Sequence, residues 1–181
     1  VTSVLAISGS LRAASSNTTI LHAVSMLAPP GVEVTLYGGL ALIPPFNPDV
    51  EKAGVIPLPV VELQRQLAAA DAILICSPEY AHGVPGVLKN ALDWVVGDGT
   101  LVGKPVAVIN ATPWSTHAHA SLIETLTIMS WRVVDEASVG LPQNGRRLDA
   151  AAIAADPDLS GILREALAAL VAAARVENSS R

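Results

Sequence analysis

The sequence predicts an α/β domain in which a parallel sheet is wound with helices on both faces. Three observations carry that prediction. Short β-branched runs alternate five times with longer stretches of helical period. Hydrophobic residues make up 51% of the chain and aromatic ones only 3%, so the core must be assembled from Ala, Val, Leu and Ile, as in a sheet buried on both sides. The 181 residues suffice for one well-buried domain, and no compositional linker divides them.

In chain order, the first strand is "SVLAIS" (3–8), stopped by Gly9, and a helical pattern runs over 17–27. "VEVTLY" (32–37) is the second strand. Residues 38–59 hold five prolines and no sustained period, which predicts a long crossover loop. Loops longer than about 12–15 residues are usually functional or disordered, so this one is expected on the surface near a site. A helix over 59–70 leads to "DAILICS" (71–77), the third strand, and a helix over 85–96 carries Pro85 in its first turn. "KPVAVIN" (104–110), a helix over 115–129 and "RVVDEASV" (132–139) follow. The last helix, 157–175, has the plainest period, with Pro157 and Asp158 at its start and Arg175 at its end.

Composition excludes several classes of function. With a net charge of −5, 11 Lys and Arg, and no basic run, the chain lacks a footprint for nucleic acid. No segment has the roughly 18 consecutive apolar residues of a membrane span, and the first residues do not read as a secretory signal, so a cytoplasmic location is expected. Cys76 sits alone in an apolar run and reads as a small core residue. The glycosylation-like triplets at Asn17 and Asn178 carry no meaning without secretion.

Ligands of a doubly wound sheet bind beyond the carboxyl ends of its strands, where the strand order reverses. "GSLRAASSN" (9–17) lies there, between the first strand and the first helix. Such a loop offers backbone N–H groups and the positive end of a helix. Ser10, Ser15, Ser16, Asn17 and Arg12 add hydroxyls, an amide and a guanidinium, a set suited to a phosphate. The plainer alternative is that Ser16 or Asn17 only caps the helix. Neither a G-x-G-x-x-G turn with an acidic residue after the second strand nor a G-K-S/T loop is present. A mononucleotide with one terminal phosphate remains, and FMN at the reversal point of a five-stranded sheet fits it. The third strand leads into "SPEYAHGVPGVLKNALDW" (77–94), whose loop is placed to meet the ligand's ring through backbone N–H groups and Tyr80. Alternatively it is an ordinary turn with a surface tyrosine.

Together, "GSLRAASSN" and "PEYAHGVPGVLKNALDW" resemble the NADPH-dependent FMN reductases, a family of flavodoxin-like proteins that includes chromate and quinone reductases and azoreductase-like members. The shared patterns are G-S-L-R-x-x-S-x-N and P-E-Y-N-x-x-x-P-G-x-L-K-N-A-x-D-W. The resemblance implies a three-layer sandwich with strand order 2-1-3-4-5, occupying 1–181 as a single domain. It implies that Ser10, Arg12, Ser15 and Asn17 hold the FMN phosphate, with help from Ser16. Pro78, Glu79, Tyr80, Ala81, His82 and Gly83 would surround the isoalloxazine ring, with Thr112, Pro113, Trp114 and Ser115 bordering it from the loop after the fourth strand. NADPH or NADH would be the reductant, and a quinone, free flavin, azo compound or metal oxyanion the acceptor. The flavin carries the redox chemistry, so no catalytic acid, base or nucleophile is assigned. A homodimer or homotetramer is implied in the same way.

Two departures from the family pattern stand out. Ala81 replaces the usual Asn, removing its side-chain hydrogen bonds. After the fourth strand, "NATPWSTHAHASL" (110–122) puts Trp114 and His117 where glycines are normal. Trp114 either covers part of the flavin or packs between loop and helix. His117 and His119, two apart on a helix, point to different sides and do not read as a metal pair. Ser121 lacks a nucleophile elbow. Lys89 and Asp93 form either a surface pair or part of a subunit contact. The alternative to a reductase is a flavodoxin-type electron carrier that never meets nicotinamide, and after that a member that has lost flavin binding.

Overall fold

The computed structural model describes residues 1–112, 114–143 and 145–179, Ser179 by its backbone only. Five strands, β1 (Thr2–Ser8), β2 (Val32–Leu36), β3 (Ala72–Cys76), β4 (Pro105–Ile109) and β5 (Arg132–Val133), form one parallel sheet in the order 2-1-3-4-5. Helices α1 (Ser16–Leu27), α6 (Ala150–Ala155) and α7 (Pro157–Ser179) cover one face. On the other lie α3 (Leu58–Ala69), α4 (Gly86–Asp93) and α5 (Thr116–Ile128), while α2 (Pro48–Lys52) lies in the crossover after β2. The expected three-layer sandwich is the one found.

Strand periodicity sorts the core into two halves. Val4 and Ala6 of β1, Leu74 and Cys76 of β3, and Ala107 and Ile109 of β4 face α1 and α7. Their neighbours Leu5, Ile7, Ile73, Ile75, Val106 and Val108 face the other helices. β3 and β4 are buried at every residue, which is why they read as unbroken apolar runs. Each buried Leu or Ile contributes about 1.5–3 kcal/mol relative to exposure. Lys104, just before β4, is buried and donates its ammonium to the carbonyls of Ala68 (3.2 Å) and Ala70 (2.5 Å), satisfying the carboxyl end of α3.

The differences from the expected elements have local causes. Within 38–59 the chain forms a 3₁₀ turn (Leu40–Leu42) and α2, where Asn47 caps the Asp49 N–H and Pro48 occupies the first turn. The Asn90 side chain and the Trp94 indole both donate to the Pro44 carbonyl (2.9 and 2.8 Å), and Asn90 Oδ1 accepts from the Phe46 N–H. Phe46 meets Trp94 edge to face at 5.1 Å. The crossover is therefore pinned to α4. That helix ends at Asp93 rather than 96 because the chain tightens there, the Val95 N–H turning back to Leu92. β5 stops at Val133 rather than 139: a 3₁₀ turn (Asp135–Ala137) turns Ala137 into the core beneath α7, and pairing with β4 resumes only as a bridge between Asn110 and Gly140. Helix α6, not expected from the sequence, is one capped turn, Asp149 accepting from the Ala152 N–H at 2.7 Å.

Candidate active site

β1 and β3 are neighbours, while the chain leaving β1 goes to β2 on the opposite side. The order reverses at the carboxyl ends of β1 and β3, so their loops border the crevice where ligands of such sheets sit. Gly9 lets these loops meet. A Cβ there would stand 2.4 Å from Ser77 Oγ and 2.9 Å from Ser77 Cβ, so no larger residue fits without moving a neighbour. The Gly9 N–H donates to the Cys76 carbonyl at 2.9 Å, extending the β1–β3 pairing into the loop.

Side chains then tie the first loop down. Thr18 Oγ1 donates to Ser8 Oγ at 2.8 Å. Ser15 is the N-cap of α1, its hydroxyl accepting from the Thr18 N–H at 3.5 Å. The cap is thus Ser15, not Ser16 or Asn17. Asn17 is buried, and its Oδ1 accepts a hydrogen bond from the Cys76 thiol at 3.3 Å. Burial pushes the Cys76 thiol pKa far up, so the group is a neutral donor and fills a core position. The first N–H groups of α1, at Ser16 and Asn17, have no intrahelical acceptor, and no acidic residue stands in that turn. Ser10 is buried, whereas Arg12 and Ser16 are exposed. This cradle fits a phosphate: N–H donors, hydroxyls and a guanidinium around a helix end that favours negative charge.

Ser10 Oγ also lies 3.4 Å from Tyr80 Oη, linking the cradle to the loop after β3. There, Tyr80 and Gly83 exchange backbone hydrogen bonds at 3.0 and 2.9 Å, closing a two-residue turn on Ala81 and His82. Both carry left-handed backbone, with φ of 49° and 62°. Such a hairpin turn favours Asn and Gly, so the Asn usual to the pattern suits the position and Ala81 occupies it under strain. Tyr80 is 55% exposed at the rim. The His82 ring stacks on His117 at 4.4 Å with 13° between planes, joining this turn to the start of α5.

The Glu79 carboxylate is tied to the start of α5. Its Oε2 accepts the Ala118 N–H at 2.8 Å, supplying the cap that Ser115, the first flanking residue of α5, does not give. Asn110, which sequence reasoning passed over, organises the loop after β4. Its Oδ1 accepts from the Thr112 N–H at 3.0 Å, and its Nδ2 donates to the Ser115 carbonyl at 2.9 Å. An Asn ending an apolar strand before "AT" was the available signal. Trp114 is 70% exposed, which removes the reading in which it packs between loop and helix. Pro113 lies outside the described residues. His119 Nδ1 is buried without a hydrogen-bond partner, and burial lowers the pKa of its imidazole. It lines a cavity of about 10 Å³, of water size, shared with the polar side chains of Ser77, Glu79 and Asn110 and with apolar Val108 and Leu122. Lys89 and Asp93 form an exposed ion pair.

The structure therefore links Ser10 with Tyr80 and Asn17 with Cys76 at the end of β3, stacks the Ala81–His82 turn on His117 at the start of α5, and sets Arg12, Ser16, Thr112 and Trp114 around one cavity. The sequence reading missed Asn110 and a further wall made by Gln143 and residues 145–149, which faces Arg12, Ser16, Thr112 and Trp114 across a cavity.

Known proteins are similar to this chain in sequence and fold. The family model of the NADPH-dependent FMN reductases matches residues 2–145. The chain is 33% identical over 172 residues to an NAD(P)H-dependent FMN reductase of Pseudomonas aeruginosa, with 92% of each covered. It is 38% identical over 107 residues to a quinone reductase of Escherichia coli, covering 58% of this chain and 57% of that protein. The solved structure of FerB, a flavoenzyme NAD(P)H:(acceptor) oxidoreductase from Paracoccus denitrificans, superposes with a TM-score of 0.76 over 97% of this chain and 98% of that one, at 28% identity. A match over most of the chain, and a relative sharing a third of its residues along nearly the full length, show that this oxidoreductase belongs to the NADPH-dependent FMN reductase family.

Proposed function

We propose that the protein uses FMN to carry electrons from NADPH or NADH to a small-molecule acceptor, a quinone first among them. The observation that carries this reading is the Ser10–Tyr80 link, which joins a phosphate cradle to an exposed aromatic turn across the β1–β3 reversal. FMN, when bound, supplies the two-electron redox chemistry, and the protein supplies binding, orientation and electrostatics.

In this reading the first-turn N–H groups of α1, Ser10, Ser15, Ser16 and Arg12 hold the phosphate. Asn17 steadies the floor through Cys76. Backbone groups of residues 78–83 would meet the ring, with the Tyr80 side chain beside them. Glu79 positions α5 rather than touching the ring. Thr112, Trp114 and Ser115 would border the ring from the loop after β4, and Pro113 is assigned to the same border from the sequence pattern alone. Exposed Trp114 and His117 narrow the approach for nicotinamide or acceptor compared with the glycine-rich loop usual in the family. Free flavin, azo compounds and metal oxyanions belong to the same proposal as further acceptors.

A homodimer or homotetramer also belongs to it, supported by exposed Leu42, Val55, Leu58 and Val61 along one stretch of chain. So does a cytoplasmic location. No helix among the described residues is long and apolar enough to cross a membrane. The test is an absorbance spectrum of protein reconstituted with FMN, desalted, and given NADPH without oxygen. Rapid bleaching of retained flavin is expected. Retained flavin that only dithionite bleaches would make the protein an electron carrier instead, and failure to retain flavin would remove the cradle's assignment.

A further inference from the structure

His119, near the start of α5, buries its Nδ1 without a hydrogen-bond partner, and among the described residues it is the one buried side-chain nitrogen or oxygen left so. A polar atom taken out of water unpaired is costly, so an exception in an otherwise satisfied fold has a physical cause. The same side chain lines the cavity of about 10 Å³, which is the room one water takes and too little for any larger ligand.

The other polar side chains around it, Ser77, Glu79, Asn110 and Ser115, each keep hydrogen-bonding capacity in hand. Glu79 gives Oε2 to the Ala118 N–H and has a second carboxylate oxygen, Oε1. The Ser77 hydroxyl donates to the Pro78 carbonyl at 3.2 Å, and its lone pairs accept nothing among the described residues. Asn110 Oδ1 accepts one hydrogen bond, from the Thr112 N–H, of the two it can take. The Ser115 hydroxyl makes no bond to the helix it precedes. A buried water needs two to four polar partners, and this wall offers that many. Burial disfavours the imidazolium form of His119, and a neutral ring presents Nδ1 as donor or acceptor, either of which a water can answer.

We infer that this cavity is a site for one water that bridges His119 Nδ1 to the Glu79 carboxylate, and that through it His119 is a positioning residue for the loop after β3. Ser77 and Glu79 lie on the chain leaving β3, Asn110 on the chain leaving β4, and Ser115 and His119 at the start of α5, so the water sits where three segments meet. Glu79 holds α5 by one oxygen only; a bond at the carboxylate from the ring side fixes its rotation, and with it the turn on Ala81 and His82 that follows. The effect on flavin affinity rests on the reading of the crevice as the FMN site, whereas the water site does not.

The test begins with a high-resolution crystal structure of the unaltered protein, which needs no variant to fold. A water peak about 2.7–3.2 Å from both His119 Nδ1 and a Glu79 carboxylate oxygen is expected. A dry cavity, or Nδ1 bonded directly to a protein group, overturns the proposal. FMN titration then reads the positioning role. His119→Leu should raise the FMN dissociation constant about threefold to tenfold, as for one lost hydrogen bond. His119→Asn, whose amide reaches the place of Nδ1, should keep the water and recover most of the affinity. Leu fills the wall better than Asn does, so recovery by Asn reads the polar atom rather than the packing. An Asn variant as weak as the Leu variant, or a Leu variant that binds FMN like the parent, overturns the role of His119. If the unaltered protein binds no FMN, the functional reading fails, while the water peak and a urea midpoint that falls further in His119→Leu than in His119→Asn still decide the site.

Discussion

The loop leaving β1 is tied along its length to its neighbours, while the loop leaving β4 is tied outward only at its ends, among the described residues. Gly9, Ser10 and Asn17 each reach across to the β3 side, through the Cys76 carbonyl, the Tyr80 hydroxyl and the Cys76 thiol. By contrast, the described residues of 110–115 close on the Asn110 side chain, and their outside anchors lie at the two ends: the Asn110 backbone on Val139 and Leu141, and the start of α5 on Glu79 and the His82–His117 stack. The difference teaches where substitution is tolerated. A loop locked to two strands holds its ligand groups to fixed positions and keeps the family pattern. A self-supporting loop with remote anchors can exchange its outward residues, and Trp114 and His117 are such exchanges.

The comparison breaks first at Gly9. Gly9→Ala forces a Cβ against Ser77, and an overpacked contact of this kind costs about 1–3 kcal/mol. A urea unfolding midpoint lowered to match, together with lost FMN retention, is the expected result. A variant as stable as the parent would show that the two loops need not meet so closely. Next comes Glu79, the outside anchor of the β4 side. Glu79→Ala should cost about 1 kcal/mol, the usual loss of a helix cap, and Glu79→Gln should recover most of it. Equal losses in the two variants would point to charge rather than to the hydrogen bond.

Ala81 sharpens the comparison in the opposite direction. Ala81→Asn puts a residue that tolerates left-handed backbone at φ 49° and should stabilise the protein by about 0.5–1 kcal/mol. A loss measured by the same unfolding experiment would mean the turn relaxes around Ala81 without strain. The gentlest effect is a slope with pH. His119 titrates below its ordinary 6.5 in the folded chain because burial disfavours its charged form. The unfolded chain therefore takes up a proton first as pH falls, and stability present above about pH 6.5 declines below it. Glu79 lines the same cavity and is the charged group to control for. In His119→Phe the slope between pH 7 and the folded pKa should flatten, and an unchanged slope would assign it to another group.

What could be read from the sequence follows the range of the interactions. β1, β3 and β4 are legible because burial on both faces leaves continuous apolar runs, and the first loop is legible because its hydroxyls and glycine lie within nine consecutive residues. Helix α2 had a readable start in Asn47, Pro48 and Asp49 that was masked by the surrounding prolines. β5 misled because 132–139 has strand composition, while the burial of Ala137 against α7 is a tertiary fact. Ser15 shows the limit within the site itself: a hydroxyl that reads as a phosphate ligand is also the helix cap. Asn90 and Trp94 show it within the strongest motif, where both residues fasten the crossover through Pro44. The far wall of the cavity was invisible because Gln143 and residues 145–149 meet Arg12 and Trp114 only after the sheet has formed.

The 3₁₀ turn that ends β5 after two residues also bears on how the molecule behaves in a crowded solution. An exposed outer strand offers its unpaired N–H and carbonyl groups as a template on which another chain can extend the sheet. Here that margin is cut to Arg132 and Val133, and the chain then turns away behind two carboxylates, Asp135 and Glu136. The sheet is left with almost no ribbon on this side to copy, so the turn that spoils the regularity of β5 also guards the protein against fibrous self-association.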